Sequence, residues 1–108
     1  MSGHELYELK SIADSLLLPI GFTVQTEESH PDVFGSYFCV YSRADLDIRY
    51  IWDGKDGVGY MEIKPAHDYS WRAFSSYIAE GNPGVMRESA RSTWPGELDN
   101  AISQSLVN

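Results

Sequence analysis

The stretch Leu46-Asp47-Ile48-Arg49-Tyr50-Ile51-Trp52-Asp53-Gly54-Lys55-Asp56-Gly57-Val58-Gly59-Tyr60-Met61-Glu62-Ile63-Lys64 decides the fold. Two runs rich in β-branched and aromatic residues flank a short cluster of Asp, Gly and Lys, the pattern of an antiparallel hairpin. Alternation puts Leu46, Ile48, Met61 and Ile63 on one face, and Asp47, Arg49, Tyr60 and Glu62 on the other. Pairing Trp52 with Gly57 sets Ile48 opposite Met61, Leu46 opposite Ile63, Asp47 opposite Glu62 and Arg49 opposite Tyr60. Arg49 then bridges Asp47 and Glu62. A one-residue slip would set Ile48 against Glu62 and Leu46 against Lys64, burying charges without partners. Gly57 and Gly59 lie beside Trp52 and Tyr50 in this register, where absent side chains leave room for large rings.

Upstream, residues 34–42 read as a neighbouring strand, joined through Arg43-Ala44-Asp45, and Phe22-Thr23-Val24-Gln25-Thr26 reads as one more. Between them, residues 27–33 form a polar loop that Pro31 keeps out of a central ladder. Leu6, Leu9, Ala13, Leu16 and Leu17 recur at helical spacing before Pro19, which predicts an amphipathic first helix. Downstream, Ser70 as N-cap with Trp71, Phe74 and Ile78 predicts a second helix over 70–80, stopped by Gly81-Asn82-Pro83-Gly84. Thr93 caps a last helix bearing Trp94, Leu98, Ala101, Ile102 and Leu106, with a short helical turn over 85–92 before it. The expected architecture is a single α+β domain over 1–108, in the order α-β-β-β-β-α-α. It is an antiparallel meander of about four strands with helices packed on one face.

The chain of 108 residues carries 16 acids against 8 bases, a net charge of -8. Residues 1–54 hold nine acids and three bases, and residues 55–108 hold seven and five, so most of the negative field belongs to the first half. So few bases make nucleic acid a poor partner, because phosphate backbones are bound by basic surfaces. A basic protein is the easier match, and the alternative is that the acids simply keep the chain soluble. No apolar run approaches the roughly 18–20 residues that cross a bilayer. The opening Met1-Ser2-Gly3-His4-Glu5 lacks a basic and apolar leader. With the single cysteine Cys39, this predicts a cytoplasmic protein without membrane contact.

Motifs for chemistry are sparse. There is no G-x-G-x-x-G or P-loop, and the glycines around Gly54 belong to a hairpin rather than a helix N-terminus. His4, His30 and His67 are widely spaced and no C-x-x-C occurs, so neither a metal nor another cofactor is expected. Cys39 sits between apolar strand neighbours, which predicts a buried and inert thiol. Asp47 with Glu62 could resemble a carboxylate pair, but Arg49 beside them argues for a charge network. The aromatics Tyr37, Tyr41, Tyr60, Tyr69, Trp71 and Tyr77 could line a pocket or an interface.

Phe34-Gly35-Ser36-Tyr37, the run from Leu46 to Lys55, and Asp56-Gly57 leading into a final strand together resemble small bacterial proteins of the toxin-immunity kind. The resemblance spans residues 5–64 and rests on element order, acidity and the Trp-Asp-Gly turn. It implies a non-catalytic cytoplasmic binder that masks a toxic, often basic, enzyme, and it transfers no individual residue.

The leading reading is therefore a non-catalytic binding domain for a basic protein, with contacts from Asp47, Arg49, Tyr60 and Glu62 and a rim of Asp53 and Asp56. That reading needs the face bearing Tyr60 to be bare; helices covering it would make these residues core. An alternative is a small-ligand protein or enzyme with a pocket between sheet and aromatic helix, around His67, Asp68, Tyr69 and Trp71. A third is a homodimer paired through exposed strands or faces.

Overall fold

The computed structural model describes the backbone of residues 4–107 and the side chains of residues 5–105. The side chains of His4 and Leu106, both weighed above, lie outside the described residues. Helix α1 (His4–Leu17) and a 3-10 turn (Leu18–Ile20) lead into strands β1 (Thr23–His30), β2 (Ser36–Arg43), β3 (Leu46–Asp53) and β4 (Val58–Pro65). Two short strands, β5 (Arg72–Ala73) and β6 (Ile78–Ala79), and helix α2 (Pro83–Val107) complete the chain. All strand pairs are antiparallel, with order β1-β2-β3-β4-β5 and β6 also beside β4. The α+β class, the antiparallel meander, and an N-terminal and a C-terminal helix packed on one face are as expected.

Every second residue of the meander turns toward the helices. Tyr37, Cys39 and Tyr41, then Leu46, Ile48, Tyr50 and Trp52, then Met61 and Ile63 are buried with Leu6, Leu9, Ile12, Ala13 and Leu17 of α1. Met86, Ala90, Trp94, Leu98 and Ala101 of α2 close the same cluster, and α1 packs against α2 with Arg87 donating to Glu8. Buried hydroxyls find partners: Tyr50 donates to the Leu6 carbonyl at 2.8 Å and Tyr41 to Asp14 Oδ1 at 2.5 Å. Burial, then these bonded neighbours, pushes the Tyr41 hydroxyl well above the ordinary phenol range, and burial alone does so for Tyr50. Lys10 donates to Asp14 at 3.0 Å; burial opposes its charge, but that bond and the Asp14 charge outweigh it and its pKa rises.

Four expectations are corrected. The hairpin keeps the expected faces but is shifted by two residues: Trp52 pairs with Gly59, Ile48 with Ile63, Asp47 with Lys64 and Arg49 with Glu62. Asp53 explains the shift, because its Oδ1 accepts from the amides of Lys55 (3.0 Å) and Asp56 (3.2 Å) while its carbonyl accepts from Gly57 at 2.8 Å. Gly57, at φ 66°, turns the chain so that Val58 becomes the first paired residue. Hydrophobic alternation excludes odd slips and is blind to a slip of two.

The polar loop starts later than expected, since β1 runs on through Glu27, Glu28, Ser29 and His30. As an edge strand it needs no apolar face, and all its positions are exposed except the half-buried His30. The helix over 70–80 is absent. Ser70, Ser75 and Ser76 with Trp71, Phe74, Tyr77 and Ile78 are weak helix formers that outnumber Arg72, Ala73, Ala79 and Glu80, and the extended form satisfies the open side of β4. The Phe74 amide donates to the Met61 carbonyl at 3.1 Å, the Met61 amide to Ser75 Oγ at 2.7 Å, and the Glu80 amide to the Gly57 carbonyl at 2.7 Å.

Finally, 85–92 and the last helix are one element. Asn82 does not stop a helix but starts α2, its Oδ1 accepting from Gly84 (2.8 Å) and Val85 (3.3 Å), with Pro83 in the first turn. Thr93 is interior, its hydroxyl donating to the Ser89 carbonyl at 3.0 Å. Pro95 cannot donate to the Arg91 carbonyl, yet the helix continues because Trp94 and Leu98 on either side are buried.

Candidate functional site

Both long helices cover one face of the sheet, so the other face, with the odd residues of β3 and the even residues of β4, is left without a helical layer among the described residues. The pairing lays its residues in rows. One runs Thr26, Val40, Arg49, Glu62 and Ala73; a second Glu28, Phe38, Ile51 and Tyr60; a third Ser42, Asp47 and Lys64.

Charges near the middle of this face neutralise one another. Arg49 donates to Glu62 Oε1 from Nη2 (2.5 Å) and Nε (3.1 Å), and its guanidinium lies over Trp71 at 4.3 Å and Phe38 at 5.6 Å. Lys64 reaches Asp47 at 3.9 Å and Trp71 at 5.8 Å, and Asp47 also accepts from Ser42 Oγ at 2.6 Å. Tyr60 stacks on Tyr77 with ring centres 4.4 Å apart, and His30 stacks on Phe38 at 6.2 Å. Burial, then the Glu62 charge, raises the Tyr60 hydroxyl above its ordinary value. The result is an aromatic surface with paired charges, whose side chains are already held by their neighbours.

Of the residues singled out from sequence, Asp47, Arg49, Tyr60 and Glu62 share this face. The expected contact of Arg49 with both acids becomes one with Glu62, because the two-residue shift hands Asp47 to Lys64. Asp53 folds its own turn, and Asp56 is exposed at the turn's tip. Acids therefore stand at the margins: Glu28 on β1, Asp32 in the β1–β2 turn, Asp53 at the end of β3 and Asp56 in the turn after it, and Glu80 after β6. Tyr37 and Tyr41 belong to the core instead.

The second group separates. Trp71 joins the outer face over Arg49, while Tyr69 is 100% exposed and His67 projects from the same loop. The helix that was to wall a pocket there is not formed. A recess of about 230 Å³ lies further on, lined by Arg72, Ala73, Phe74, Glu97, Asn100, Ala101 and Gln104. Glu97 at its margin accepts from the Ser76 amide (2.8 Å) and hydroxyl (2.6 Å) and so ties α2 to the β5–β6 segment. Sequence reasoning passed over Phe38 and Lys64 on the outer face; the parity of Phe38 with Val40, opposite to Cys39, was the available signal. Among the described residues no three His, Cys, Asp or Glu side chains gather as metal ligands. Cys39 is buried, and burial raises its thiol pKa. No described helix is long and apolar enough to cross a membrane.

No protein-family model, curated protein or solved structure matches this chain.

Proposed function

We propose that this chain is a non-catalytic protein-binding domain, an immunity-type inhibitor that takes a basic partner on the outer face of its sheet. One observation carries the reading: Phe38, Ile51, Tyr60, Trp71 and Tyr77 stand on a sheet face that no described helix covers, with acids at its margins. Aromatic anchors held by their neighbours, with polar groups around them, are the composition of an interface centre and its rim. The net charge of -8 speeds encounter with a basic protein and makes it salt-sensitive, while the aromatic centre slows release. Asp47 and Glu62 keep a place in this site as partners of Lys64 and Arg49, so steering falls to Glu28, Asp32, Asp53 and Asp56. Non-catalytic action is supported by how the inward-facing polar groups are used: Asp14, Glu27 and Glu97 each hold a hydroxyl of the fold, and Cys39 is buried. Its action belongs in the cytoplasm, where an unpaired cysteine is stable.

The test is capture of partners from the source organism's lysate at low and raised salt, followed by binding to Tyr60→Ala and Trp71→Ala. A single basic protein, released by salt, bound about tenfold more weakly by both variants and inhibited in its own activity by the wild-type chain, is the expected result. A captured protein held equally by both variants would remove the outer face from the reading.

The recess beside Arg72 is the observation favouring the small-ligand reading, moved from His67 to the gap between β5 and α2. A compound that raises Tm for the wild type and not for Arg72→Ala would establish it.

A further inference from the structure

The open edge of the sheet specifies how a partner segment is held, an inference that rests on the protein-binding reading above. β1 pairs with β2 on one side, and among the described residues nothing pairs with its other side. It is 8 residues long and exposed up to His30, whereas β5 and β6 at the opposite edge have 2 residues each. An irregularity between Val24 and Thr26 interrupts the ladder and leaves 26–30 as its regular part. A regular, exposed edge offers unpaired amides and carbonyls to an added strand.

Two consecutive acids occupy that regular part on opposite faces. Glu27 pairs with Cys39 on the side of the helices, and Glu28 with Phe38 on the outer side. Both carboxylates are held in place: the Tyr37 hydroxyl donates to Glu27 Oε1 at 2.5 Å, and His30 Nε2 lies 3.3 Å from Glu28 Oε1. A second copy is a poor occupant. Full antiparallel overlap of two β1 strands sets Thr26 against Glu27 and Gln25 against Glu28, crowding four carboxylates around the twofold axis. Like charges at cross-strand and diagonal distances destabilise such a pair. A strand with bases at those positions meets one carboxylate on each face instead.

We propose that the β1 edge is a strand-addition site for an extended segment of another protein carrying two consecutive basic residues, one meeting Glu27 and the other Glu28. Backbone hydrogen bonds supply the attachment, and the acids select the segment.

The probe is a synthetic peptide, Val-Thr-Val-Lys-Lys-Thr-Val-Thr, titrated into the full-length protein with amide hydrogen exchange read residue by residue. We expect slowed exchange at amides within 26–30, with weaker protection from the same peptide N-methylated at alternate backbone positions and from its Glu-Glu counterpart. Glu27→Gln with Glu28→Gln should weaken the Lys-Lys peptide about tenfold, two exposed pairs being worth a few-fold each. Unchanged exchange in β1 at millimolar peptide, equal binding of the N-methylated peptide, or a dimer of the free protein with β1 amides already protected would each overturn the proposal. These readouts are independent of Tyr60 and Trp71, so the edge can fail while the outer face stands, and the reverse.

Discussion

The two faces of this sheet are made by the same strands and differ in almost everything else. On β3, Leu46, Ile48, Tyr50 and Trp52 meet two helices and are buried, while Asp47, Arg49, Ile51 and Asp53 point the other way and remain half-exposed. The inner face is held by burial of apolar area, with hydroxyls satisfied one by one. The outer face is held by pairs, each cation shared between a carboxylate and a ring. Core packing and surface pairing are thereby separated at a spacing of one residue: substitutions on the first face should cost far more stability than those on the second.

Substituting Trp94 gives the largest expected effect on this contrast. It is fully buried and its indole N–H donates to the Ser76 carbonyl at 3.0 Å. Trp94→Ala should cost about 3–5 kcal/mol by urea denaturation, a large share of the roughly 5–15 kcal/mol that holds a domain. A loss below about 1 kcal/mol would show that α2 does not close the inner face.

Alkali attacks the same face chemically. The pKa values of Tyr41 and Tyr50 are raised by folding, so their contribution is complete below the ordinary phenol value near 10 and is lost as pH climbs from there toward the folded value. The raised Lys10 acts in the same direction. Stability should fall above about pH 10 with a slope approaching 1.4 kcal/mol per pH unit for each buried tyrosine. Urea midpoints between pH 8 and 11.5 read this directly, and a flat profile would mean that these hydroxyls reach water in the folded state.

Gly59 tests how closely the inner face is packed. A Cβ there would come 2.5 Å from Leu9 Cδ1 and 3.3 Å from Trp52 Cε3, so Gly59→Ala should cost about 1–3 kcal/mol through overpacking. A neutral result would mean that α1 can shift away from β4.

The smallest stability effect is expected on the other side. Arg49→Ala removes an ion pair and two cation–π contacts from a half-exposed position, and should cost about 1 kcal/mol or less. Its affinity for a captured partner should fall about tenfold, because Trp71 and Phe38 lose the group that positions them. Equal and large losses of stability and affinity would erase the distinction between the faces.

The sorting of residues into two faces was legible in the sequence because it depends on alternation, which sets Ile48, Tyr50, Met61 and Ile63 together; which of the two faces the helices cover was not, and the packing of α1 and α2 decides it. The hairpin's absolute register was not, since slips of two preserve alternation and Asp53 settles the matter by folding back on two amides. The segment 70–80 misled for another reason: Trp71, Phe74 and Ile78 have helical spacing, yet each serves a separate purpose. Trp71 covers Arg49, while Phe74 and Ile78 pack toward the core from an extended chain. Asn82-Pro83 is compatible with the end of one element or the start of another, and only the long apolar stripe beyond it decides. For the candidate site, Arg49, Tyr60 and Glu62 could be placed on one face from parity alone. Their partners could not, because the pairings with Trp71 and Tyr77 cross segments whose conformation was misread.

The core is completed by the parts most distant in sequence, α1 and α2, which pack against each other on the same face of the sheet. During synthesis the ribosome therefore delivers the whole meander before Met86, Trp94 and Leu98 exist to cover it. Until α2 clears the exit tunnel the apolar inner face has α1 alone to cover it, and like charge on the acids of β1 and the strand turns would oppose association of neighbouring nascent chains in that interval.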